Sequence, residues 1–147
     1  MISVVQRVLE AKVVVANEPV GAIGPGLLVL AAVEHDDTPA DVDWTANKLA
    51  ALRIFSNGDK YFDLDVKQVG GSILLVSNFT VAAETRRGRR PSLDNAAPPD
   101  KGRTLFTQLV TAVQQLGIPV ATGQFGADMQ VSLTNDGPVT FLVKSRE

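Results

Sequence analysis

Apolar residues alternate roughly with polar ones over Ile2–Val8 and again over Ala11–Ala16, which predicts two strands with a turn at Leu9–Glu10. Glu18-Pro19 and Gly24-Pro25-Gly26 then supply turn chemistry. Leu27–Val33 is a continuous apolar run, short enough for a central strand. Thr38 followed by Pro39, with Asp41 three residues past the cap, marks a helix start. Val42, Ala46, Leu49 and Ala50 recur at helical spacing, so a helix is predicted over Pro39–Leu52. Ser56-Asn57-Gly58-Asp59 is a turn, and Gly70-Gly71 opens a strand over Ser72–Val76. A second helix is predicted over Asp100–Leu116, with an apolar stripe of Leu105, Phe106, Leu109, Val110, Val113 and Leu116. Gly117 fits the position just past its end, and Pro119 blocks continuation. Met129–Leu133 and Val139–Val143 read as two further strands. Strands dominate, so the expected class is α+β: an antiparallel sheet curled toward a barrel, with two main helices.

Length and composition narrow this picture. The chain has 147 residues and no visible linker or repeat, so one domain over 1–147 is expected. No apolar run approaches the roughly 18 residues of a spanning helix, so no membrane partner is expected. Met1–Arg7 lacks the basic start and apolar core of a secretory leader, and there is no cysteine for a disulfide. Both features point to a cytoplasmic location. The net charge of −2 excludes attraction of nucleic acid by the molecule as a whole; such binding needs a local patch.

Candidate chemistry is scarce. The single histidine, His35, lies in a polar Glu-His-Asp-Asp turn and reads as a surface residue. No cluster of His, Asp and Glu has metal-ligand spacing, so a metal site is not expected. Two segments stand out instead. Ser77-Asn78-Phe79-Thr80 places hydroxyls and an amide at a strand end. They either cap backbone groups there or bind a polar ligand; Thr80 as a nucleophile needs a base, and none is near in sequence. Asn135-Asp136-Gly137-Pro138-Val139-Thr140 puts a Gly-Pro pair inside a strand-like run. It is either a turn joining two strands or a place where backbone approaches a ligand closely. Asp128 and Asp136 are the nearest carboxylates, open to acid–base work or to surface capping. Arg86, Arg87, Arg89 and Arg90 surround Gly88, with Lys101 and Arg103 downstream. Such a loop either contacts phosphates or is a solvated surface.

Taken in order, these segments resemble the D-aminoacyl-tRNA deacylase family. Its Ser-Gln-Xaa-Xaa-Thr motif corresponds to Ser77, Asn78 and Thr80; its Asn-Xaa-Gly-Pro-Xaa-Thr motif corresponds to Asn135, Gly137, Pro138 and Thr140. Similarity extends through Gln6-Arg7-Val8, Gly21–Leu30, Leu52–Phe55, Val69–Gly71, Thr85–Pro91, Ala97–Pro99 and Thr122–Leu133. One departure stands out: Asn78 replaces the family's Gln and is one methylene shorter.

The resemblance implies hydrolysis of the ester between a D-amino acid and tRNA, with some cleavage of glycyl-tRNA and no cofactor. The partners it implies are aminoacylated tRNA and a second copy of the chain, without DNA. It implies a homodimer in which Gly137-Pro138, joined by a cis peptide, enters the other subunit's pocket as the chiral filter. Asn135, Thr140 and Arg7 would support that filter. Ser77, Asn78, Phe79 and Thr80 would form the catalytic segment, and Arg86, Arg87, Arg89 and Arg90 would meet tRNA phosphates. Water would be activated by the tRNA 2′-hydroxyl, with Thr80 as nucleophile the rival route. A tRNA-binding module without hydrolysis and a simple small-molecule esterase are the alternatives.

Overall fold

Strand β1 (Ile2–Val15) runs unbroken through Leu9 and Glu10, where the sequence pattern suggested a turn. The loss of alternation there marks bulges instead: the pairing of β1 with β8 (Gln130–Lys144) shifts register between Gln6 and Val8 and again between Val8 and Glu10. The computed structural model describes all of Met1–Glu147. Ala16 and Asn17 both take positive φ (49° and 66°), as a two-residue hairpin turn requires. They reverse the chain into β2 (Glu18–Ile23). After the break at Gly24-Pro25, β3 (Gly26–Ala32) continues along the same edge of β1, both segments antiparallel to it. β8 covers the opposite edge of β1 as one long strand, not as the two expected near the C-terminus.

The sheet is mixed where an antiparallel one was expected. β6 (Ser72–Ser77) pairs parallel with β3, and β7 (Val120–Thr122) pairs parallel with β6. Parallel neighbours need long crossovers, and the two helices lie in these connections. Helix α1 (Pro39–Ala51) follows β3, and α2 (Pro99–Gln115) follows β6, both within a residue of the predicted bounds. A separate hairpin, β4 (Phe55–Asn57) and β5 (Lys60–Leu64), forms around the predicted Asn57-Gly58 turn. The sheet curls until β2 meets β7. A Cβ added at Gly21 would sit 2.1 Å from the Thr122 carbonyl oxygen, so only glycine permits that closure.

Period-two alternation divides the apolar residues between two cores. Leu27, Val29, Ile73 and Leu75 face the helices and pack with Leu49, Leu105, Leu109 and Val113. Leu28, Leu74 and Val76 face the other way, into the curled sheet, with Val8, Ala11 and Val13. This second core is small, and it leaves the mouth of the barrel unfilled at the C-terminal ends of β3 and β6.

The chain ends are tied by charge to α1 and to the segment just before it. The buried Met1 ammonium donates to the Asp37 carboxylate, to Glu34 Oε2 (3.2 Å) and to Ser145 Oγ (2.8 Å). Arg146 grips Asp41 with Nε on Oδ1 (3.0 Å) and Nη2 on Oδ2 (2.6 Å). Asp41 also accepts the Thr38 amide at 2.8 Å, the reciprocal contact expected at this helix start. Chiefly because of Arg146, the Asp41 carboxyl titrates far below the usual carboxylate range. A carboxyl depressed in the folded state adds stability that is fully present above its unfolded value, near pH 4, and is lost as the pH falls. Arg146→Ala should therefore destabilise the protein at pH 7, modestly because the pair is partly exposed. Parallel melts at pH 7 and below pH 3 check this: the difference should shrink in acid, and an equal loss at both would contradict it.

Candidate active site

The unfilled barrel mouth is a cavity of about 660 Å³. Leu30, Val76, Met129 and Val131 form its floor; Ala97, Phe106 and Phe125 form the wall on the helix side. None of its lining side chains is titratable: Ser77 and Asn78 are the only polar ones. The cavity can therefore bind an apolar body and meet it with hydroxyl, amide and backbone groups, but it holds no side-chain acid or base.

Ser77, Asn78 and Phe79 stand on the lip. β6 ends at Ser77, where pairing with Ala31 stops, and the Asn78 amide makes the last bond to β3, on the Ala31 carbonyl at 2.9 Å. The chain then turns into a single 3₁₀ turn over Phe79–Ala82, an element the sequence pattern does not announce. Within it the Val81 amide is bonded to the Asn78 carbonyl at 3.2 Å. The amides of Phe79 and Thr80 head the turn and have no partner inside it. Asn78 does not cap them. Its side-chain carbonyl instead accepts the Thr80 hydroxyl at 2.6 Å. The amide at position 78 thus reaches Thr80. Phe79 is more than half exposed, its ring projecting from the lip. Thr80 does not line the cavity, and its hydroxyl donates to an amide, with no base bound to it.

Gly137 and Pro138 lie elsewhere. In the pairing of β1 with β8, Gln6 is opposite Thr140 and Val8 is opposite Asn135, so Asp136–Val139 bulge out of the ladder. Asn135 spans the base of this excursion: its Oδ1 accepts the Val139 amide at 2.7 Å, and its Nδ2 donates to Thr140 Oγ1 at 3.0 Å. Asn135 and Thr140 are therefore the clasp of the corner. Gly137 and Pro138 form its exposed tip, joined by a cis peptide. Gly137 has φ +143°, and a Cβ there would sit 2.7 Å from Val139 Cγ2 and 3.0 Å from the Val139 nitrogen. Arg7 stands behind the corner, opposite the bulge, and is only 5% exposed. Its Nε donates to the Asp136 carbonyl at 3.0 Å, and its Nη1 donates to the Ile54 carbonyl at 2.8 Å. The Asp136 carboxylate adds a charge contact at 3.5 Å. Within one subunit, then, the two motifs are apart: neither Gly137 nor Pro138 lines the cavity that Ser77, Asn78 and Phe79 border.

Arg86, Arg87, Arg89 and Arg90 are all exposed. They lie on a loop closed by two mutual backbone bonds of 2.9 Å between Glu84 and Ser92, which makes the arginine stretch a hairpin-like projection. The chain returns from it directly into the cavity wall at Leu93 and Ala96. In the sequence Arg103 reads only as a charge downstream of the arginine loop. It lies with its guanidinium carbon 4.7 Å from the centre of the Phe125 ring, itself a cavity wall. Phe106 and Phe125 were not singled out in the sequence as site residues, because Phe106 reads as one more member of a helix stripe. His35 is half exposed beside Asp36. Asp128 is exposed, and neither Asp128 nor Asp136 borders the cavity.

Comparison with known proteins matches this arrangement to one group. The family model for D-Tyr-tRNA(Tyr) deacylase matches residues 4–144. A D-aminoacyl-tRNA deacylase of Geobacter sulfurreducens is 52% identical over 146 residues, 99% of this chain and 96% of that protein. One from Chloroflexus aurantiacus is 53% identical over 147 residues, all of this chain and 92% of that protein. Among solved structures, one described as c-Myc DNA Unwinding Element Binding Protein superposes with a TM-score of 0.96 at 33% identity, over the whole of both chains. A probable eukaryotic D-amino acid tRNA deacylase shares the fold, with a TM-score of 0.83 at 17% identity over 97% of each chain. With about half of its residues shared over nearly its full length, the chain belongs to the D-Tyr-tRNA(Tyr) deacylase family.

Proposed function

We propose that this protein hydrolyses the ester joining a D-amino acid to the terminal ribose of tRNA, releasing both, as a cytoplasmic proofreading enzyme that works as a homodimer. The observation that carries this reading is the separation of the two motifs. A rigid backbone corner projects from each subunit, while each cavity lacks such a wall. A two-fold pairing in which each corner enters the other subunit's cavity satisfies both. The aromatic surface beside the corner supports that pairing: Tyr61, Phe62 and Phe141 are all at least a third exposed, and the rings of Phe62 and Phe141 are 5.8 Å apart.

In the paired site the corner's carbonyls accept the substrate's ammonium, and the corner's bulk occupies the volume an L side chain would need. Rejection by steric conflict gives a handedness filter that does not read side-chain identity. Achiral glycine passes it, so glycyl-tRNA is a second substrate. The terminal nucleoside and amino-acid body rest in the apolar cavity beside Phe79. The arginine projection, from which the chain returns into the cavity wall at Leu93, and Arg103 on the Phe125 ring meet phosphates.

Ester cleavage forms a tetrahedral oxyanion as water adds to the carbonyl, and collapse expels the ribose oxygen, which takes up a proton. The amides of Phe79 and Thr80, unbonded within the 3₁₀ turn, are the donors assigned to that oxyanion; one such donor is worth roughly 2.7–4 kcal/mol in known cases. A cavity without titratable side chains supports activation of the water by the tRNA's own 2′-hydroxyl. The Thr80 hydroxyl orients Asn78 and is not the nucleophile. The Asn78 departure is the one sequence feature that favours a non-hydrolytic tRNA-binding module of the same fold, and the D-tyrosyl-tRNA assay below separates the two readings.

Four outcomes are expected. Purified protein should cleave D-tyrosyl-tRNA faster than L-tyrosyl-tRNA by on the order of 10²-fold or more, and Gly137→Ala should abolish most D cleavage; equal rates would refute the filter. Thr80→Ala should keep turnover within about tenfold of wild type, whereas losing a true nucleophile costs on the order of 10⁶-fold. A substrate with a 2′-deoxy terminal ribose should not turn over. Finally, neutralising Arg86 and Arg87 should weaken tRNA binding and lower the salt slope by about 1–2. An unchanged slope would show that this projection does not meet phosphates.

A further inference from the structure

We infer that Tyr61, on the β4–β5 hairpin, is a positioning residue for the Gly137-Pro138 corner: its ring lies on the Arg7 guanidinium and its hydroxyl lies against Gly137. The inference rests on the corner acting as the handedness filter proposed above.

Three contacts carry it. The Arg7 guanidinium carbon is 5.2 Å from the centre of the Tyr61 ring. A Cβ built on Gly137 would stand 3.2 Å from the Tyr61 hydroxyl oxygen, so that oxygen flanks the tip of the corner. The Tyr61 ring also packs on Phe62 at 4.6 Å, and Phe62 meets Phe141, the residue that follows the Asn135–Thr140 clasp, at 5.8 Å. The hairpin thus touches the corner at its tip, at its buried arginine and at its outgoing strand. Arg7 bonds the same region from below through the Ile54 carbonyl, one residue before β4.

The physical consequence concerns the arginine. A guanidinium under an aromatic face is held in one plane and shielded from water. Both effects strengthen its bond to the Asp136 carbonyl, which fixes where the corner begins. Without the ring, Arg7 gains rotational freedom and solvent, and the corner gains play at the one place where an ångström separates a D from an L side chain. The β4–β5 hairpin sends Phe55 and Leu64 into the helix-side core, while Lys60, Tyr61 and Phe62 are exposed. Polar contacts shape the rest: Arg53 donates from Nε to the Asp63 carbonyl and from Nη2 to Asp63 Oδ1, both at 2.6 Å. Asn57 holds the other Asp63 oxygen at 2.9 Å. These contacts close the hairpin on itself and present Tyr61 to the corner.

The test compares Tyr61→Phe, Tyr61→Ala and Tyr61→Leu with wild type. Cleavage of D- and L-tyrosyl-tRNA is measured alongside hydrogen exchange of the 135–140 segment. Tyr61→Phe keeps the ring and should hold the D/L ratio within about twofold. Tyr61→Ala should lower the ratio about tenfold and speed exchange of the Val139 amide, which Asn135 protects. Tyr61→Leu retains apolar volume without a π face and should also lower the ratio, which keeps the test decisive if the alanine variant fails to fold. A merely structural role would lower both rates together; an unchanged ratio in the alanine or leucine variant would overturn the inference. If wild type itself shows no preference for the D substrate, the filter reading fails and this inference with it. A wild-type preference that survives loss of the ring removes this inference alone.

Discussion

The buried guanidinium of Arg7 is the interaction on which the proposed site depends. It lies opposite the place where β8 leaves the ladder, and it bonds carbonyls from two elements that are otherwise separate, Asp136 in the bulge and Ile54 before β4. A buried cation is costly unless its donors are satisfied, so the surrounding chain is constrained to present acceptors in fixed places. That constraint turns a bulge, ordinarily a local irregularity, into a corner with a defined direction. Asn135 closes the base of the corner and Gly137 permits its path, but the arginine decides which way it points.

In the proposed paired site the cavity and the corner divide the chemistry between them. The cavity supplies apolar walls and a lip of amides; it offers no group that gains or loses a proton. The corner supplies backbone carbonyls and bulk. An enzyme built this way relies on the reactivity already present in an aminoacyl ester and on selecting which ester may sit still. That division suits a proofreading task, in which many different side chains must be accepted and one handedness refused. It also explains why a reading that looks for a histidine, a thiol or a carboxylate dyad finds nothing in the site.

Much of the fold was legible because the helices carry caps and stripes and the central strands are uninterrupted apolar runs. Three features were not. The bulges in β1 and β8 look like turns in the sequence, since both interrupt alternation, and only the partner strand shows that pairing resumes. The parallel neighbours of β3 and β6 were hidden because alternation reports which face is buried and not which way the next strand runs. The motif Asn135–Thr140 reads locally as a turn; its side-chain clasp spans four and five residues and closes only once the bulge exists. Arg7 and Tyr61 show the general reason: lone residues far apart in sequence carry no spacing signal, and the resemblance to a family pointed to the first but not to the second.

The central claim, that a main-chain corner of one subunit completes the cavity of another, is tested most directly by mixing subunits. One parent carries Gly137→Ala, which spoils its corner; the other carries Ala127→Trp, which fills its cavity. Each parent dimer should be nearly inactive toward D-tyrosyl-tRNA. After dissociation and reassociation of an equal mixture, statistical pairing should restore about a quarter of the wild-type activity, because each mixed dimer holds one intact corner facing one intact cavity. Mixed dimers that form but stay as inactive as their parents would contradict the account.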